Sequence, residues 1–202
     1  MKRIASIVLS ISLSVLLCSC GNSSDDRMSS RNSEDRVEQP AQQSETIISE
    51  SEEDPDLSNF DPDFTFSTVD REGNSFDETI FAEHSLTMIN FFEPWCGPCV
   101  GEMGDLEALY EDYSSQGLLI LGVYSETGME SDIDDIISYN GVTYPLLHYT
   151  DDFSDFLSGF VPTTVFVDSN GHVVTTDDIT DPYYVGSNDY DGWASIIEDL
   201  IK

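Results

Sequence analysis

Basic side chains are scarce in this chain. Lysine and arginine together number 7 in 202 residues, against 40 aspartates and glutamates, for a formal net charge of -33. The deficit is concentrated in one part. Residues 60–202 hold 29 acidic side chains and two basic ones, Arg71 and Lys202, whereas residues 1–59 hold 11 acidic and 5 basic. Nothing in the larger part can neutralise a row of phosphates, which excludes a nucleic-acid partner. Anionic lipid headgroups would repel the same surface, and the charge predicts a highly soluble, monomeric domain. Histidine is also rare. His84, His148 and His172 are scattered without ligand spacing, so no zinc or copper site is expected and no metal or cofactor is implied. There is no internal repeat, and no apolar run reaches the roughly 20 residues of a bilayer span.

What is present at the N-terminus is a shorter apolar run. Lys2 and Arg3 are followed by Ile4 to Cys18, about fifteen residues interrupted only by serines and one alanine. That pattern suits the core of an export signal. It ends in Leu17-Cys18-Ser19-Cys20-Gly21, which resembles a bacterial lipobox. The resemblance implies cleavage after Ser19 and acylation of Cys20. Cys18 fits less well, because Leu17 would then occupy the small-residue position. Ordinary signal cleavage without a lipid is the alternative. From Gly21 to about Asn59 the chain is polar and acidic, with Ile47 and Ile48 its only adjacent apolar pair. Such a segment cannot bury enough surface to offset its ordering entropy, so it reads as a disordered tether spanning on the order of 35 Å. The expected organisation is a signal at 1–19, a lipid-anchored tether at 20–59, and one folded domain at 60–202.

Within that domain Phe64 and Phe66 alternate with polar residues, and Arg71-Glu72-Gly73-Asn74 reads as the turn of a β-hairpin. Thr87 to Phe92 and Leu118 to Tyr124 have the pattern of buried strands. Val100, Met103, Leu106, Leu109, Tyr110 and Tyr113 recur on one helical face, which Gly117 is placed to end. Ile133, Ile136 and Ile137 mark a second helix stopped near Asn140-Gly141, and Asp152 to Ser158 suits a short helical turn. Thr164–Val167 and His172–Thr175 flank a turn, and Trp193, Ile196, Ile197 and Leu200 give a last helix. The alternation of β and α units predicts an α/β fold: a mixed central sheet with helices on both faces and an N-terminal β-hairpin.

Cys18 leaves with the signal and Cys20 takes the lipid, so Cys96 and Cys99 remain as the free thiol pair. No disulfide framework can be built from them. They bracket Gly97-Pro98, directly after a buried strand and at the start of a helix. The free N–H groups and positive end of that helix favour a thiolate on the first cysteine, and Pro98 is tolerated in a first helical turn. Cys96 is expected to be the exposed nucleophile and Cys99 the resolving thiol. Trp95 is read as covering the dithiol face, with a plain core role as the alternative.

The segment Asn90-Phe91-Phe92-Glu93-Pro94-Trp95-Cys96-Gly97-Pro98-Cys99-Val100-Gly101-Glu102-Met103 resembles the thioredoxin superfamily, and within it the membrane-tethered TlpA/ResA-like branch with its redoxin, AhpC/TSA-like domain. The resemblance extends over about residues 60–202 and implies a thioredoxin-like three-layer sandwich. It includes Gly141-Val142-Thr143-Tyr144-Pro145 and Val161-Pro162-Thr163-Thr164. By that resemblance Pro162 is the cis-proline facing the dithiol, and Val161 offers its backbone to an extended substrate segment. Trp95, Gly97 and Pro98 complete the substrate-facing surface. Glu102 matches a glutamate given a proton-handling role for the buried thiol; the other reading is a solvated helix residue. Asn90 stands where thioredoxins proper carry a buried aspartate, so acid–base work falls to Glu102 or water. Gly104 replaces an expected proline. Thr180 to Asp191 is longer and more aromatic than expected, and suits either a partner surface or a packed loop.

The resemblance implies an extracytoplasmic enzyme that reduces disulfides of exported proteins, drawing electrons from a membrane thiol donor of the CcdA-like type. Glu93, three residues before Cys96, disfavours a thiolate and argues for a reducing couple. A disulfide oxidant or isomerase is the alternative within the class, and a non-catalytic thioredoxin-like binding lipoprotein is the alternative outside it. A thiol peroxidase needs a Thr-x-x-Cys site upstream, which is missing.

Overall fold

The computed structural model describes residues 57–177 and 181–201. The signal, Cys20, nearly all of the tether, residues 178–180 and Lys202 lie outside the described residues.

Two antiparallel strands, β1 (Ser67–Val69) and β2 (Ser75–Asp77), form the hairpin read from the sequence, with Val69 opposite Ser75 across the turn. The central sheet is built on β3 (Leu86–Phe91) and β4 (Leu118–Tyr124), in which every residue is buried. Continuous apolar strands of this kind need cover on both faces. They run parallel in register Leu86↔Leu118, joined through helix α1 (Gly97–Tyr113). Helix α2 (Glu130–Asn140) leads to β5 (Leu146–His148), parallel to β4. Strand β6 (Thr163–Asp168) lies antiparallel on the other side of β3, and β7 (Val173–Val174) and β8 (Tyr184–Val185) pair with β6 before helix α3 (Tyr190–Leu200). The order across the sheet is β5-β4-β3-β6-β7.

The pleat divides the core in two. Leu86, Met88, Ile120 and Phe166 face Met103, Leu106 and Leu109 of α1, Ile133 of α2, and Trp193 and Ile197 of α3. Ile89, Phe91, Leu121 and Val165 face Phe66, Phe81, Phe153 and Phe156. All three α-helices therefore cover one face. The other helical layer consists of two 3-10 helices, Glu78–Glu83 and Asp151–Phe156, backed by Phe66 of the N-terminal segment. Strands β5 and β8 were not read from the sequence. They hold three and two residues, and their pairing partners are distant in the chain. Gly117 ends the run after α1 with φ +97°, and a Cβ there would meet Ser85 Oγ at 2.6 Å. Helix α1 passes through Gly104 without interruption.

The register explains why distant segments meet. Because β3 and β6 are antiparallel with Phe91 opposite Thr163, the loop leaving β3 and the loop entering β6 lie at the same end of the sheet. Residues 92–96 and 158–162 are thereby brought side by side.

Candidate active site

Cys96 is the N-cap of α1, held in extended backbone by the turn bond from its N–H to Glu93 O at 2.9 Å. Gly97 and Pro98 form the first helical positions, and both are exposed. Cys96 and Cys99 are joined as a disulfide, with Cα atoms 5.3 Å apart. Cys99 N donates to Cys96 Sγ at 3.3 Å, so the first sulfur sits where a helix end favours negative charge. Cys99 has no exposure, and Cys96 has 6%. Cys96 is thus the more exposed of the two, although even it presents only an edge to solvent.

The loop before β6 meets this sulfur. The Val161–Pro162 bond is cis, Pro162 is buried, and Val161 O lies 3.6 Å from Cys96 Sγ. A disulfide sulfur carries no proton, so this is a contact in the oxidised state; a Cys96 thiol could donate there. Thr163 Oγ1 donates to Phe160 O at 2.8 Å, and Phe160 N donates to Ser158 Oγ at 3.2 Å, which fixes the loop from within.

Behind the pair lies Glu102, and it is not a solvated helix residue: it is 2% exposed. Asn90 Nδ2 donates to one carboxylate oxygen at 3.1 Å. Asn188 N and Trp193 Nε1 donate to the other at 3.0 and 3.2 Å. Asn90 also donates to Thr164 Oγ1, its partner across β3 and β6. Burial pushes the Glu102 carboxyl above the ordinary range and outweighs the three donors, which pull it down. Where it is described, the 180–191 segment packs through Tyr184 and Asn188 and is exposed at Asp181, Pro182, Val185, Ser187 and Asp189. Tyr184 stands edge-on to Phe166 and Trp193, and Asn188 supplies a donor to Glu102.

The rim is apolar and open. Trp95 is 63% exposed and Phe160 72%, so the core reading of Trp95 is excluded. With Leu157, Gly159, Val161 and Glu93 they line a cleft of about 430 Å³ beside the disulfide. Glu93 is nearly buried, and its carboxylate turns to Ser125 N at 3.1 Å, to Ser125 Oγ, and to Glu126 N at 3.2 Å.

Sequence reasoning named Cys96, Cys99, Trp95, Val161, Pro162 and Glu102, and the fold brings all six to one end of the sheet. It missed Phe160 and Leu157 of the rim, and Asn188 and Trp193 around Glu102. Trp193 had a helical period that marked it as core, but nothing in its spacing tied it to residue 102. Buried Glu107, which accepts from Thr143 N and Oγ1 at 2.7 and 2.6 Å, was also missed.

A two-cysteine helix cap, facing a cis-proline loop on a mixed sheet, defines a thioredoxin-fold protein. Residues 59–176 match the AhpC/TSA family, and the chain belongs to that family, as a ResA/TlpA-like member of the thioredoxin superfamily. It is 32% identical over 115 residues to a thiol-disulfide oxidoreductase ResA of Oceanobacillus iheyensis, covering 55% of this chain and 59% of that one. It is also 32% identical over 121 residues to the ResA of Geobacillus thermodenitrificans, covering 55% and 63%. The matched stretch thus spans about six-tenths of these relatives. Among solved structures, a thioredoxin-family thiol:disulfide interchange protein from Chlorobium tepidum shares the fold, with a TM-score of 0.59 and 22% identity over 70% of this chain and 96% of that one.

Proposed function

We propose that this protein is an extracytoplasmic thiol–disulfide oxidoreductase that reduces disulfides of exported proteins. The observation that carries the reading is the Cys96–Cys99 disulfide at the start of α1, with the second sulfur buried and the first against Val161 O. In the reduced protein the Cys96 thiolate attacks one sulfur of a substrate disulfide. A mixed disulfide forms, and the first substrate thiolate leaves and takes up a proton. Cys99 then gives up its proton and attacks Cys96 Sγ, and the second substrate sulfur leaves as a thiolate and takes up a proton. Two electrons pass to the substrate, and the protein ends with the Cys96–Cys99 bond. Glu102 lies one turn beyond Cys99 on the same helix and serves as acceptor of the Cys99 proton. Val161 and Pro162 hold the substrate backbone, with Trp95, Gly97 and Pro98 at the edge of the contact. A membrane dithiol donor, of the CcdA-like kind, returns the two electrons.

The export signal at 1–19 and acylation of Cys20 place the domain at 60–202 on the outer face of the cell membrane, held off by the tether. Mass spectrometry of the mature N-terminus tests that placement, and an unmodified Cys20 removes the anchor. Insulin reduction by the full chain tests the chemistry. Cys96→Ser should lower the rate by at least about 10³-fold, because the attacking thiolate is lost. Retained activity refutes the reading. A redox titration tests the direction. A potential near that of thioredoxin, about -270 mV, supports reduction, and one near that of DsbA, about -120 mV, refutes it. A Cys99→Ala variant should hold its physiological substrate as a mixed disulfide through Cys96.

A further inference from the structure

Glu93 is a carboxylate at 9% exposure with no cationic partner among the described residues. Among the described residues its hydrogen bonds come from Ser125 and from the Glu126 backbone. These donors are neutral, and an opposite charge would add to them. The domain has almost none to give. Arg71 is the single lysine or arginine among the described residues, and it is engaged by Glu130 at 3.0 Å and Asp134 at 2.6 Å. Glu93 nevertheless lines two adjoining clefts at the redox centre. One is bounded by Trp95, Leu157, Phe160 and Val161, and the other by Phe92, Tyr124 and Tyr149 among others.

We infer that a positive charge arrives with the substrate: the polypeptides that this dithiol reduces are basic, and carry lysine or arginine beside the reacting cysteine. This rests on the function proposed above and narrows its substrate class. A cationic side chain suits the cleft on each count. Its methylene stem can lie along Leu157 and Val161. Its head can meet the exposed faces of Trp95 and Phe160, where a cation is attracted by the ring quadrupole. The Glu93 carboxylate then supplies the counter-charge at the wall of the cleft. Beyond the cleft, the 29 acidic side chains of residues 60–202 form a field that speeds the approach of a cation and repels an anion. Residues 1–59 carry 5 basic side chains among 11 acidic ones, a net of -6, so that segment adds no net positive charge.

The test uses the reduced full-length protein and three otherwise identical nonapeptides, each with a central cysteine in a mixed disulfide. The neighbouring residues are lysine, serine or glutamate. Flanking charge alters the intrinsic reactivity of a disulfide, so each rate is divided by that peptide's rate with dithiothreitol. The expected normalised kcat/KM ratio of lysine to glutamate peptide is about 10²-fold in dilute buffer. It should fall to about tenfold near 0.15 M salt, where long-range steering is screened and the contact at Glu93 remains. Glu93→Gln should then remove most of the remaining preference, and Phe160→Ser part of it. The ratio is read on one enzyme sample, so a partly misfolded variant does not distort it. Equal normalised rates for the three peptides overturn the inference and leave the proposed function standing. So does an unchanged preference in Glu93→Gln at 0.15 M salt. Failure to reduce any of the three overturns the proposed function, and the inference with it.

Discussion

Two nearly buried carboxylates flank the disulfide, and the protein treats them differently. Glu93 lies in the loop between β3 and α1 and borders open clefts. Its oxygens are held by a serine and by loop N–H groups. Glu102 lies on α1 one turn beyond Cys99, borders a cleft with Pro98, Asp105 and Asn188, and accepts from Asn90, Asn188 and Trp193, which come from β3, the loop after β8, and α3. All of its direct donors are neutral, and burial raises its proton affinity. The difference teaches what position does to one functional group. A carboxylate beside an open cleft can meet a charge brought from outside. A more deeply buried carboxylate, one turn beyond Cys99 and with its proton affinity raised by burial, is suited to exchanging a proton with the buried thiol.

The comparison can be broken most decisively at Glu102. Glu102→Gln should lower the resolving step by about 10²-fold, the usual weight of a positioned acid–base group. The rate of the native protein should rise with pH through the raised Glu102 value, and the variant should lose that limb. Stability gives an independent readout of the same group. Its folded-state value is raised above the ordinary 4.5, so the folded protein binds more protons than the unfolded chain above that pH. Stability should therefore decline as pH rises from about 4.5, and urea titrations of Glu102→Gln should not show that part of the decline. A variant with the native profile would sink the proton-handling role.

Glu93→Gln should act on substrate choice rather than on this pH limb, with an effect of about tenfold. The double variant should combine the two effects additively if the carboxylates act separately. A strong coupling measured in that cycle would mean that they form one site.

Trp193→Phe removes one neutral donor from Glu102. The carboxyl should move further up, and the rate limb should shift to higher pH with the rest of the profile intact. Denaturant melts should show a loss of about 1–2 kcal/mol for the lost bond and its packing. Arg71→Met should have the smallest effect. It unties the hairpin turn from α2, where the ion pairs are largely exposed on the acidic side. Exposed pairs are worth about 1 kcal/mol or less, and peptide selectivity should not change. A large loss of selectivity would show that the hairpin shapes the clefts.

Much of this architecture is legible in the chain, for reasons that differ by element. Strands β3 and β4 are buried on both faces, so their apolar runs announce them. Helix α2 could be closed at Asn140 because Gly141 adopts φ +72°. Strands β5 and β8 are too short for a period to show. Helix α1 carries Glu102 and Glu107 on its inner face, where an amphipathic pattern predicts apolar residues. A buried carboxylate is tolerated only because distant groups satisfy it, and sequence spacing does not reveal those groups. The 180–191 segment left two readings open for the same reason. Its Tyr184 found Phe166 and Trp193, and its Asn188 found Glu102, through the fold rather than along the chain.

By itself the sequence determined the redox pair, the helix that caps it, the α/β order, and the scarcity of positive charge. These rest on local spacing, on hydrophobic period and on composition, which act along the chain. Only the tertiary structure decided which loop faces Cys96, that Glu102 is buried more deeply than Glu93, and that the α-helices gather on one face. Those outcomes depend on the antiparallel register of β3 and β6 and on packing between residues far apart in sequence.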